Sequence, residues 1–159
     1  MLARAIGFVA IVIALCVAEC PALAEACSCA PIVREKVLPT VSDVFIVNVI
    51  GEIEPPSSPA PGTVPFSPEL TITYELEVAS TLKGDAKGRV AVVTGRDSAS
   101  CGFPFQKGRR YLVFARRYLG VLRTGLCFGN VEGDTIDAAA EEVKKLVVAK
   151  PKTKPRRGL

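Results

Sequence analysis

The sequence predicts a mainly β domain, a five-stranded barrel, closed or partly open, with one helix near the C-terminus. Three observations predict it. Five segments rich in β-branched and aromatic residues are separated by turns or loops. One of them, Glu69 to Leu82, alternates between apolar and polar residues, and one late stretch, Asp137 to Val148, carries a helical period. Five strands in an open sheet leave edges that invite aggregation, and closing the sheet removes them. A β-sandwich is the alternative, but five strands give it little to stack.

Ahead of the barrel, residues 1-26 read as a signal peptide: one early charge, Arg4, an apolar run from Ile6 to Ala18, then small residues. The run is short for a membrane span, which needs about 20 apolar residues. Two A-x-A patterns place cleavage either after Ala24, giving a chain that starts at Glu25, or after Ala26, giving one that starts at Cys27. Glu25 argues against lipid attachment at Cys27, because such signals take a small or apolar residue there. No stable membrane span is expected after signal cleavage. The mature protein is expected to be secreted, periplasmic or extracellular, where disulfides persist.

Asp43 to Ile53, DVFIVNVIGEI, is too apolar for a surface strand and opens the barrel. Pro55 to Pro68 carries six prolines in fourteen residues and is expected to be a stiff, extended loop. In the second strand Leu70, Ile72, Tyr74, Leu76 and Val78 face one way, with Thr71, Thr73, Glu75 and Glu77 opposite. Lys83 to Gly88 reads as a turn, and Arg89 to Gly95 as a third strand with Val90 and Val92 on one face. Arg109 to Ala115 and Val121 to Leu126 form a hairpin around Tyr118 to Gly120. With antiparallel neighbours throughout, the economical solution is a barrel of the OB type. In the helix, Asp134 or Asp137 is the expected cap, Ala139, Val143 and Leu146 the buried stripe, and Glu141 with Lys145 an i,i+4 pair.

The domain is expected to span 27-149, with 150-159 a basic tail expected to be disordered. Net charge is +4 over the 159 residues. Loss of Arg4, Glu19 and Glu25 with the leader takes it to +5, and much of that excess lies in the tail. No nucleic-acid partner is therefore indicated, and a monomer is expected.

The chain has no histidine, which removes the commonest general base and zinc ligand. It has no CxxC and no phosphate-binding glycine loop, and its serines have no visible base. It is read as a binding protein, not an enzyme, with no cofactor.

Four cysteines follow the leader: Cys27, Cys29, Cys101 and Cys127. Four allow three connectivities. A bridge between Cys27 and Cys29 is disfavoured, since a disulfide needs Cα atoms about 5.5 Å apart in suitable orientation. Each is expected to pair with one of the distant two, which would tie the start of the mature chain to the domain. A chain beginning at Cys27 would hold its α-amino group beside its first carbonyl oxygen, and these two atoms can chelate a metal in a five-membered ring. The amine loses its proton readily, at a pKa of about 8. Catalytic zinc sites keep one coordination position open.

The segment CSCAP, from Cys27, resembles the start of the tissue inhibitors of metalloproteinases. SDVFIVNV, TYELEVASTLKG, SASCG, GRRYLVFA and the Leu126-Cys127 pair follow in the order and approximate spacing of that family's inhibitory domain. The resemblance implies a netrin-like OB-type barrel with disulfides Cys27 to Cys101 and Cys29 to Cys127. It also implies a protein partner, a zinc metalloproteinase, whose catalytic zinc Cys27 would coordinate through its amino and carbonyl groups. Ser28 would enter the enzyme's primary specificity pocket, and Cys29, Ala30 and Pro31 would lie along its cleft. Ser98, Ala99 and Ser100 would form a second part of the contact, with the Pro55 to Pro68 loop an outer one. The chain departs from the family in lacking a third disulfide in this domain and a second cysteine-rich domain. The alternative is a netrin-like module that binds another protein or a polyanion without inhibiting a protease, since a shared fold supports both readings.

Overall fold

The structure, a computed structural model, describes residues 27–53 and 70–149. The expected signal peptide, the loop expected over Pro55 to Pro68 and the tail expected over 150–159 lie outside the described residues. The elements run α1 (Arg34–Val37), β1 (Asp43–Ile53), β2 (Thr71–Lys83), β3 (Arg89–Gly95), β4 (Arg110–Tyr118), β5 (Val121–Arg123), β6 (Val131–Glu132) and α2 (Ile136–Ala149).

β1 pairs with β2 on one edge and β4 on the other, and the ring closes through β3 and β5. The first five strands thus form a closed barrel, and β6 adds to β4 at Tyr111 and Leu112, beside the segment that β5 occupies. One expectation is corrected: β3 and β5 run parallel, through Val92↔Leu122 and Val93↔Arg123. The reason is parity. Around a closed ring of five strands, direction cannot alternate at every contact, so one pair must be parallel. β1 has three register shifts against β2, between Val44 and Phe45, Ile46 and Val47, and Val49 and Gly51. Such irregularities bend and twist a strand, which lets β1 follow the wall.

β1 is apolar on both faces because both are covered. Phe45, Val47 and Val49 point into the barrel with Tyr74, Leu76, Val92, Tyr111 and Val113. Val44 and Ile46 join Leu112 and Phe114 under α2, against Ile136, Ala139, Ala140 and Val143. The interior is plugged by Phe103 and Phe105, which meet Tyr111 edge to face at 5.6 and 5.1 Å. Complete burial of one such side chain contributes about 1.5 to 3 kcal/mol.

The alternation read along β2 holds for Ile72, Tyr74, Leu76 and Val78, whereas Leu70 precedes the strand and is 60% exposed. In α2 the stripe of Ala139, Val143 and Leu146 packs as expected. Its polar residues differ. Asp137 pairs with Arg110 across to β4 at 2.8 Å, which holds the carboxyl below the usual aspartate range. Glu141 takes Lys144, at i+3, instead of Lys145.

Two polar clusters position the loops. Where β4 passes from β6 to β5, Phe114 donates its N–H to Asn130 Oδ1 at 2.8 Å and accepts from Thr124 Oγ1 at 2.8 Å, so side chains satisfy the backbone in the gap. At the first residue of β1, buried Asp43 accepts from Ser42 Oγ at 2.6 Å and from Arg117 at 3.1 Å, and Arg117 also reaches Asp85 at 2.9 Å.

Candidate functional site

β3 ends at Gly95, and the chain turns sharply back through residues 96–102. The turn is built on Asp97 and Ser100. The carboxylate accepts from Ser100 N at 2.9 Å and Ser100 Oγ at 3.0 Å, while Ser100 Oγ accepts from Asp97 N at 3.1 Å. These bonds hold the Asp97 carboxyl below the usual range, the Ser100 amide contributing most. Gly102 N closes the turn on Asp97 O at 2.8 Å. The two ends touch. A Cβ on Gly102 would lie 2.0 Å from Gly95 O, and one on Gly95 would lie 2.3 Å from Ser100 O, so only glycine fits either place.

That turn presents Cys101, whose φ of 55° lies in the left-handed region that non-glycine residues rarely adopt. Cys101 O accepts from Leu126 N at 2.9 Å, which docks the turn onto a short 3-10 segment, Leu126–Phe128, carrying Cys127. Two cysteines from distant parts of the chain are thereby brought side by side.

The N-terminal segment bridges them. Cys27 is bonded to Cys101 (Cα–Cα 5.4 Å) and Cys29 to Cys127 (5.3 Å), closing sequence separations of 74 and 98. Of the two pairings left open by the residues, this is the one implied by the family resemblance. Ser28, Ala30 and Pro31 are exposed, and Cys27 and Cys29 are half-buried. Ser98 and Ala99 are exposed and Ser100 is half-buried. The disulfides thus set Cys27 to Pro31 against Ser98 to Cys101 on one side and the 3-10 segment on the other.

Among the described residues, 27–32 make no backbone–backbone hydrogen bond. This segment belongs to no helix or strand, and it is covalently fixed at Cys27 and Cys29. Backbone groups without internal partners are chemically able to pair with another chain. Among the described residues no three His, Cys, Asp or Glu side chains converge to hold a metal ion. No described helix is long and apolar enough to cross a membrane.

Sequence reasoning missed two parts of this site. The strand expected over Val121 to Leu126 ends at Arg123, and Leu126 opens a 3-10 segment instead, a break that Gly125 and Gly129 flanking LCF signal. Gly125 passes close under Cys101, where a Cβ would meet its carbonyl oxygen at 2.9 Å, and Gly129 has φ 90°. The site also extends past Pro31 through Ile32 and Val33, 43% and 45% exposed, with Ile32 lying over Gly129. The chain matches no protein-family model. No curated protein matches it either, so the resemblance carried by CSCAP and the segments that follow rests on those residues themselves.

Proposed function

We propose that the protein is a secreted inhibitor of zinc endopeptidases that acts through its N-terminal residues, as the resemblance to the tissue inhibitors of metalloproteinases implies. The observation that carries the reading is the segment Cys27 to Pro31, with Ser28, Ala30 and Pro31 exposed, without backbone partners among the described residues, and cross-linked at its first and third positions. A staple needed for stability alone has no reason to converge on the first residues after a leader.

In this reading the signal peptide is cut after Ala26. The α-amino nitrogen and carbonyl oxygen of Cys27 then coordinate the partner's zinc in place of its water. Ser28 enters the specificity pocket, and Cys29, Ala30 and Pro31 pair along the cleft like the product side of a cleaved substrate. The disulfides remove most of the ordering cost of binding, because the strand is fixed before the enzyme arrives. Cleavage after Ala26 also leaves no peptide bond ahead of Cys27 for the enzyme to cut. Ser98, Ala99 and Ser100 widen the contact. The two disulfides accord with an oxidising, extracytoplasmic setting.

The test is mass spectrometry of the exported protein followed by acetylation of its α-amino group. A start at Cys27, with inhibition of a sensitive metalloendopeptidase abolished by acetylation, is expected. A start at Glu25, an acylated Cys27, or inhibition that survives acetylation would sink the chelation mechanism and favour a netrin-like binding module.

A further inference from the structure

Seven large apolar side chains stand exposed among the described residues, and four of them belong to two pairs that meet at Phe128 and Gly129. Ile32 and Val33 are 43% and 45% exposed, Tyr118 and Leu119 50% and 54%. Ile32 lies over Gly129, and Tyr118 lines one cleft with Phe128. Val33 and Leu119 are their chain neighbours. Phe128 directly follows Cys127, whose sulfur holds Cys29, so the patch begins where the N-terminal site ends. Single exposed apolar residues are ordinary, whereas a group of them beside a binding segment marks a contact surface.

Each pair contains a residue that its local structure disfavours. Leu119 has φ 49° ahead of Gly120 at 80°, in a two-residue hairpin turn where asparagine, aspartate or glycine is favoured. Val33 caps α1 without a side-chain hydrogen bond, where serine, threonine, asparagine or aspartate would supply one. Departures from local preference that coincide with exposure mark positions kept for something other than stability. The patch is also held in place. Arg117 ties the hairpin of β4 and β5 to Asp43 and Asp85 at 3.1 and 2.9 Å, and Arg34, next to Val33, pairs with Glu142 at 2.6 Å. Arg116 donates from Nε to Thr40 O at 2.9 Å, and its guanidinium lies over the Phe128 ring, 6.0 Å from the centroid.

We propose that Ile32, Val33, Tyr118, Leu119 and Phe128 form a second contact with the protein partner, meeting an apolar surface beside its cleft. This deepens the function proposed above and rests on it. Area is the first argument. Stable protein interfaces take roughly 20 to 30 residues and about 800 Å² on each side, whereas Cys27 to Pro31 with Ser98 to Ser100 amount to eight residues. The patch adds apolar area next to them. Its restraint is the second argument, because side chains already held in place lose little freedom on binding. Tyrosine is also among the residues that most often carry binding energy at interfaces. A lipid surface would take up apolar residues wherever they stood, while these adjoin the segment that meets the partner.

The test uses the intact exported protein and the metalloendopeptidase that the acetylation experiment finds sensitive. Inhibition constants and thermal midpoints are measured for Leu119→Asn, Tyr118→Ser and Ile32→Ser. Leu119→Asn is the decisive variant, because asparagine suits the turn. Its midpoint is expected to equal or exceed that of the wild type while inhibition weakens about tenfold. A leucine kept only for the fold would move both readouts together. Tyr118→Ser is expected to lose about as much, and Ile32→Ser less. Undiminished inhibition by all three variants, with acetylation still abolishing it, would overturn the second contact and leave zinc chelation standing. A wild type that does not inhibit would overturn both. A Leu119→Asn midpoint below that of the wild type would assign the patch to the fold, and binding to phosphatidylcholine vesicles that this variant abolishes would assign it to a lipid surface; either result overturns the proposal.

Discussion

Inside the barrel, Phe45, Tyr111 and Val113 are wholly removed from water and held by their neighbours alone. Along Cys27 to Pro31, three of five side chains are exposed, and sulfur bridges supply the restraint that packing does not. The two regions solve different problems. A core residue is ordered by the same burial that stabilises the fold, so its rigidity follows from folding. In the function proposed, the N-terminal segment must stay exposed, and exposure forfeits that source of order. Cross-links replace it, which makes the ridge's order separable from that of the barrel.

The comparison is broken most directly at Phe114, which is fully buried between β4 and α2. Phe114→Ala is expected to destabilise by about 3 to 5 kcal/mol, with barrel and ridge lost in one transition on denaturant titration. A loss below about 1 kcal/mol would mean that packing under α2 does not hold the wall. Next in size is the paired substitution Cys27→Ala with Cys101→Ala. It is expected to cost about 2 to 4 kcal/mol and yet leave the β-sheet circular dichroism spectrum unchanged. Residues 27–31 should then show the fast motion of a loop in NMR relaxation, and inhibitory activity should fall. Retained order in that segment would show that the ridge is held by something besides sulfur.

The smallest effect is the most local. The Asp97 carboxyl titrates below its ordinary range because the folded turn favours the charged form. Its contribution is therefore present above the unfolded-state value and lost as pH falls through the lower, folded one. The Ser100 amide resonance should move with acidification in that window, ahead of global unfolding, and Asp97→Ala should abolish the movement. A titration at or above the usual aspartate range would contradict the turn as described.

Much of the barrel was legible because its signals are local. β1 and β3 begin and end where their apolar runs do, and the alternation from Ile72 to Val78 describes the inner face of β2. Illegible parts depend on distant partners. β6 has two residues and exists because β4 offers an edge beyond β5. α1 spans four residues, and Arg34 within it is fixed by Glu142, 108 positions away, at 2.6 Å. β4 runs to Tyr118 instead of stopping at Ala115, since its charged end still pairs with β5. At the site, the cysteines and Ser98 to Ser100 could be picked out by residue type, while the docking of Leu126 beneath Cys101 could not. It depends on the bond from Leu126 N to Cys101 O, and no spacing encodes that.

The separations of 74 and 98 residues also set an order of events during synthesis. Cys27 and Cys29 leave the ribosome first, and at about 5 to 20 residues per second their partners follow roughly 4 to 20 seconds later. Cys101 appears while Cys127 is still unmade, so for a moment two early thiols face a single late one. The Gly95–Gly102 turn is then complete in sequence, but its dock on Leu126 is not, and the left-handed Cys101 has only half of its supports. Correct pairing therefore belongs to the last quarter of the chain. The first cysteines of the domain to be made are the last to acquire their final shape.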